Sequence, residues 1–244
     1  MKKTILFFII IISLGVLFIT IGFNTIIFNK LSKSILIGKA NAQNQYLSLA
    51  KSQIISNYDA LKVEMKKLAI EQSINSSKTS EQDKVLSIYF KRDNCCEVLG
   101  ISNKNGVCKI SPSNRYNEGL QLFSENDIRK FSFVDDVVSF RKRDERNQDI
   151  YLYFVVPIMN GEEFLYSAVK LNQNNVVYSS LKNLHYDNSS LLIYDNIDEK
   201  LLASFGVVFD FENEKNFFLF SPSNENLLFE NKYLISSEYI EEVK

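Results

Sequence analysis

The sequence predicts an α+β chain in which an N-terminal transmembrane helix continues into a long amphipathic helix. Two antiparallel-sheet modules follow, the second reading as incomplete. Three observations predict this. An uncharged apolar run opens the chain, and a seven-residue apolar repeat without proline follows it. The apolar period then changes from 3.6 to 2, with Asn-Gly pairs between short β-favouring runs.

Lys2 and Lys3 precede the apolar run, and from Ile5 to Phe23 only Ser13 and Thr20 are polar. At about 1.5 Å per residue the run crosses a hydrocarbon core of roughly 30 Å. A cleaved signal peptide would carry a shorter apolar region, of about 7–15 residues, with a small-residue site close behind it. Here the Ala40-Asn41-Ala42 pattern lies well past the apolar end, so the segment 1–29 reads as an uncleaved signal anchor. Lys30, Lys33 and Lys39 nearly balance Lys2 and Lys3, so loop charge does not set the orientation. The short tail and the large downstream body favour tail in and body out, a single-pass extracytoplasmic protein.

The segment 30–75 reads as one helix. Leu47, Ile54, Leu61 and Leu68 repeat every seven residues, and Tyr58, Met65 and Gln72 follow the same period four residues on. Such a stripe either zips two copies of the chain into a homodimer or packs on the chain's own sheet. Ser73 to Asp83 is polar and reads as a loop.

The segment 76–185 reads as the first module. Residues 97–111 form a hairpin turning at Asn103–Gly106, since Asn-Gly tolerates the positive φ of tight turns. A short helix is expected over 125–130. Strands follow at 137–143, 150–158 and 164–171, the last two joined at Asn160-Gly161, and a helix over 175–184. The segment 186–244 opens with a second hairpin, LLIYD and LLASF around a polar turn at 196–200. Further strands are expected at 217–220 and 227–235.

Composition excludes most common chemistries. The 28 basic and 29 acidic residues leave no electrostatic footprint for nucleic acid. Of 8 glycines the closest pair is Gly100 and Gly106, so neither a dinucleotide fingerprint nor a phosphate loop exists. A single histidine and 3 cysteines leave few members for a zinc site, and no nucleophile elbow is present. The chain reads as a non-enzyme without a cofactor. A pilin-like subunit is disfavoured because Gly22-Phe23 lies inside the apolar run and the first Glu is Glu64.

The candidate ligand-binding residues are Arg141, Lys142 and Arg143 on one strand, Tyr151 and Tyr153 on the next, and Lys170 on a third. Converging, they would make a basic, aromatic-walled pocket for a carboxylate. Alternation turns only half of them inward. Asp144 and Glu145 follow directly, so a solvated, charge-balanced loop is the competing reading. Across the hairpin Cys108 faces residues 101–103 rather than Cys95 or Cys96, which argues for thiols over a cross-strand disulfide. Asp210, Glu212 and Glu214 read as a solvent-facing strand and His185 as a linker residue.

In this order of elements the chain resembles the double-module Cache family of extracytoplasmic sensors, which have two PAS-like modules behind a signal anchor. The resemblance is carried by GISNKNGVCKIS (100–111), DIYLYFVVPIMNGEEFLYSAVKLN (149–172), NNVVYSSLKNL (174–184) and SLLIYDNIDEKLLAS (190–204). It implies a membrane-distal and a membrane-proximal module and a small-molecule ligand. Two departures stand out. The amino-acid-binding subgroup has an Arg-x-Trp-Tyr signature and a late acidic residue, whereas this chain has no Trp and carries Lys170 about there. The chain also stops where a further strand and a second membrane helix would be expected. The competing reading is an envelope scaffold or adaptor that acts through a partner.

Overall fold

The computed structural model describes residues 2–76, 78–93, 96–112, 118–132, 134–144, 148–172, 174–184, 190–195, 197, 200–206, 227–229 and 233–235. It divides into two units, Met1–Leu49 with Ser221–Glu238, and Ala50–Phe220 with Tyr239–Lys244.

The smaller unit contains the first part of helix α1 (Lys2–Ala69). Its large apolar side chains face outward, with Phe18, Ile19, Phe23 and Phe28 all more than 60% exposed. Water disfavours so long an apolar surface, and a bilayer does not. The Thr20 and Thr25 hydroxyls donate to the Val16 and Ile21 carbonyls at 2.8 Å, so these polar atoms are satisfied within the helix. Among the described residues this is the one helix long and apolar enough to cross a membrane. The unit also holds strands β8 (Leu227–Phe229) and β9 (Tyr233–Ile235), an antiparallel pair with Leu228 opposite Leu234. The single strand expected over 227–235 is therefore two short strands paired with each other.

The larger unit is built on a five-stranded antiparallel sheet of order β2-β1-β5-β4-β3. Its strands are β1 (Val98–Asn103), β2 (Cys108–Ile110), β3 (Val138–Arg143), β4 (Ile150–Ile158) and β5 (Glu163–Lys170). A second sheet is the hairpin β6 (Ser190–Asp195) and β7 (Lys200–Gly206). The turn after β1 closes as expected. Gly106 adopts φ +77° and donates its amide to the Asn103 carbonyl at 2.9 Å. The link from β4 to β5 is a short 3₁₀ turn, Met159–Gly161.

One face of the large sheet packs on helices. Ile54, Tyr58, Leu61, Met65 and Leu68 of α1 are buried in a core with Leu99, Ile101, Leu152, Phe154 and Leu165. The Tyr58 ring lies 5.4 Å from that of Phe154, and its hydroxyl hydrogen-bonds that of Ser139. Over these residues the heptad stripe is spent on the chain's own sheet and is not a free dimer seam. Gln72 lies beyond the helix, whose end is set by Asn75: its amide donates to the Ala69 carbonyl at 2.6 Å.

Three expectations change. Helix α2 (Thr79–Asp93) begins inside the stretch read as a loop. Its fully buried Gln82 and Leu86 and half-buried Val85, Tyr89 and Phe90 recur at helical spacing, but Leu86, Ile88 and Phe90 also alternate, so the same residues fit a period of two. Residues 175–184 are turns ending in a 3₁₀ helix (Ser179–Asn183) rather than an α-helix. Asn172 and Asn175 side chains accept the amides of Asn174 and Tyr178, which favours successive turns. The long helix itself stops at Ala69 instead of residue 75.

α2 is fastened to the sheet by a buried polar knot. The fully buried Gln82 amide donates to the Ile74 carbonyl at 2.9 Å and to Glu163 at 3.1 Å, while Lys109 pairs with Glu163 at 2.5 Å. Glu163→Ala removes the acceptor shared by both groups. The expected cost is about 2–4 kcal/mol, read as a lowered urea midpoint. A loss below about 1 kcal/mol would show that water replaces the carboxylate at no penalty.

Candidate functional site

The other face of the sheet collects most of the candidate residues. Strand register places Lys142 opposite Tyr151 and Tyr151 opposite Lys170, so the three form one row. The next row is Phe140, Tyr153 and Ala168, and the one after it Val138, Val155, Tyr166 and Gly100. Gly100 leaves room for the Tyr166 ring, because a Cβ there would sit 2.5 Å from the Tyr166 hydroxyl and 2.4 Å from the Ile110 carbonyl.

Alternation separates the remaining two. Arg141 and Arg143 belong to the opposite face of β3. Arg141 is half-buried, and its Nη2 lies 2.6 Å from Oδ2 of Asp195 on β6. Arg143 is exposed at the strand end. Lys142, Tyr151, Tyr153 and Lys170 thus share a face, and the two arginines do not.

The shared face is roofed by residues 118–132, including the short helix α3 (Glu125–Phe131). Phe123, fully buried, is the centre of the roof. Its ring meets those of Phe131, Phe140, Tyr153 and Tyr166 at 5.4, 6.0, 5.7 and 5.6 Å, each close to edge-on. α3 starts at Ser124 with a capping box. The Ser124 hydroxyl accepts from the Asp127 amide at 3.2 Å, and the Asp127 carboxylate accepts from the Ser124 amide at 3.1 Å.

Both ammonium groups of the row hold carboxylates of this chain. Lys142 Nζ lies 3.1 Å from Asp127 Oδ2, donates to the Leu122 carbonyl at 2.6 Å, and sits 5.9 Å from the Phe123 ring centre. Lys170 Nζ lies 2.6 Å from Asp149 Oδ2. Burial alone would raise the Asp127 carboxyl. The Ser124 hydrogen bonds and the Lys142 charge outweigh it and hold the group below its ordinary value.

Cys108 stands opposite Ser102, as the hairpin arithmetic expects. Cys108 is a free thiol. Cys108 Sγ lies 3.4 Å from the Tyr166 hydroxyl. Burial pushes both that thiol and that phenol up, so Cys108 is a packed group, not a nucleophile. His185, Cys95, Asp210, Glu212 and Glu214 lie outside the described residues.

Sequence reading missed Phe123 and Asp127. The signal for Asp127 was present as the Ser-x-x-Asp cap of a predicted helix. Nothing local indicates that its carboxylate meets a lysine 15 residues later. Chemically the face offers ammonium groups beside ring walls, which suits an anion with an apolar part.

No family profile and no curated protein matches the chain. Solved structures do. The ligand-binding domain of the Campylobacter jejuni chemoreceptor Tlp3, in complex with 4-methylisoleucine, is similar at a TM-score of 0.51 with 13% identity. That match covers 78% of this chain and 75% of that one. The ligand-binding domain of the Pseudomonas aeruginosa amino acid chemoreceptor PctC gives 0.46 at 16% identity, over 68% of this chain and 75% of its own. The periplasmic domain of Vibrio cholerae LuxQ gives 0.46 at 19%, over 68% and 78%. With its long apolar N-terminal helix and its antiparallel sheets, the chain has an α+β fold similar to that of the Tlp3 ligand-binding domain.

Proposed function

We propose that the chain is a membrane-anchored, non-enzymatic extracytoplasmic sensor module that binds a small carboxylate. The observation that carries this reading is the row Lys142–Tyr151–Lys170 beside Tyr153, which sets two ammonium groups against ring walls on one sheet face. The fold shared with the Tlp3 domain supports the sensor role. The exposed apolar stretch of α1 supports a single-pass anchor. The organisation proposed is an anchor at 1–29, a helix at 30–75, a membrane-distal module at 76–185 and a membrane-proximal one at 186–244. The end of α1 packs against the sheet from behind, so a change at the ligand face has a short packed path to that helix.

The test is a thermal-shift screen of the full chain in lipid nanodiscs against organic acids and amino acids. A raised, concentration-dependent melting temperature for carboxylates is expected, lost in Lys142→Met. A folded chain that no carboxylate shifts would overturn the sensor reading in favour of a scaffold or adaptor.

A further inference from the structure

We infer that Asp127 is a tethered competitor: its carboxylate holds the place at Lys142 that a ligand carboxylate would take, so binding requires α3 and its leading residues to lift from the sheet. The inference rests on the sensor reading above and adds to it the device that regulates the site.

Three observations carry it. The first is chemical identity. The group on Lys142 is itself a carboxylate, with the Leu122 carbonyl as second acceptor at 2.6 Å, so two of the three ammonium N–H groups are taken. An incoming carboxylate reaches the ring-walled side of Lys142 by replacing the one that is there. The second is steric. Beside the Lys142 end of the row, 5.9 Å from Nζ, lies the Phe123 ring in its box of four other rings, and the same short segment, 122–127, supplies the ring and both acceptors. Ring and carboxylate therefore leave together.

The third is the size of what must move. α3 has 7 residues, too few to hold a helix without its tertiary contacts. Before Phe123 the roof is laced to the first hairpin. Cys108 and Leu122 amides donate to the Leu120 and Gly106 carbonyls at 2.8 and 2.9 Å. After it, the contacts to the sheet include Lys142 with Asp127, Lys130 over the Phe140 ring at 5.5 Å, Ile128 on the same cluster, and the Phe131 ring, which is stacked on Phe140 at 6.0 Å and edge-on to Phe164 at 4.7 Å. A hinge at 122–124 follows from that difference, and its opening releases the Phe123 amide from the Gly106 carbonyl, which it meets at 3.2 Å.

The test measures phenylacetate binding to the full chain in nanodiscs by calorimetry, with hydrogen exchange of residues 118–132 as the second readout. Phenylacetate joins a carboxylate to a ring, and 2-phenylethanol is the uncharged control. Asp127→Asn keeps an oxygen for the Ser124 amide and removes the charge that competes. It is expected to bind phenylacetate about 10-fold tighter than the native chain, because a larger fraction of molecules has the site open. Asp127→Ser repeats the test should the amide variant fold poorly. Ser124→Ala weakens the cap but leaves the carboxylate on Lys142, and is expected to bind like the native chain. Exchange in 118–132 is expected to quicken in Asp127→Asn and in the native chain with phenylacetate.

Equal phenylacetate affinity in native and Asp127→Asn chains overturns the competitor while leaving the sensor reading intact. So does binding with unchanged exchange in 118–132, and so does a Ser124→Ala gain matching that of Asp127→Asn. Absence of binding in every folded variant, with no carboxylate active in the thermal screen, overturns the sensor reading and the competitor with it.

Discussion

Replacing Phe123 with Ala is expected to cost about 3–5 kcal/mol of unfolding free energy, one of the two largest single-residue effects in this chain. The ring is fully buried and touches Phe131, Phe140, Tyr153 and Tyr166 with centroids between 5.4 and 6.0 Å. Truncation removes the transfer energy of the ring and leaves a hole with rigid walls, since β3, β4 and β5 fix the backbones of three neighbours. Edge-to-face pairs add about 0.5–1.5 kcal/mol each beyond burial. Urea unfolding of the full chain in nanodiscs checks this. Phe123→Leu keeps most of the volume and should lose roughly half as much. Equal losses for Ala and Leu would mean that ring geometry, not filled volume, sets the stability.

Asp195→Ala is the second, at about 3–5 kcal/mol. Arg141 Nη2 and Asp195 Oδ2 are 2.6 Å apart, and the two side chains are only 16% and 8% exposed. The pair joins β3 of the large sheet to β6 of the second hairpin, with buried Tyr178 near it. Burial, with the Asp195 charge second, holds that phenol above its ordinary value. Removing the carboxylate takes the 2.6 Å partner from a largely buried guanidinium that cannot lose its proton. The double variant Arg141→Met with Asp195→Leu removes both charges and is expected to recover most of the loss, because a hydrophobic pair of similar volume needs no desolvation. If the double variant is as unstable as the single one, shape complementarity rather than charge explains the cost.

Much of the larger unit was legible because its signals are local. Asn103–Gly106 turns by its own conformational preferences, and the strand β4 runs over the expected residues 150–158. The cap of α3 is written in Ser124 and Asp127. The candidate site was legible only in part. The period of two fixes that Lys142 cannot share a face with Arg141, and the register then puts Tyr151, Tyr153 and Lys170 on the Lys142 side. Helix α2 was missed because its apolar residues satisfy two periods at once, and only burial of Gln82 and Leu86 against the sheet chooses between them.

The sequence by itself determined the apolar N-terminal segment, the long helix, the first hairpin, the meander and the second hairpin, since each rests on periodicity and turn chemistry within a dozen or so residues. The tertiary structure decided three further things. The heptad stripe of α1 faces the chain's own sheet from Ile54 to Leu68. Phe123 fills the face that carries Lys142. Asp127, Asp149 and Asp195 neutralise Lys142, Lys170 and Arg141. The physical reason is common to all three. Period states which side chains point the same way, but what covers them depends on contacts between residues distant in the chain, and those exist only once the sheet has closed.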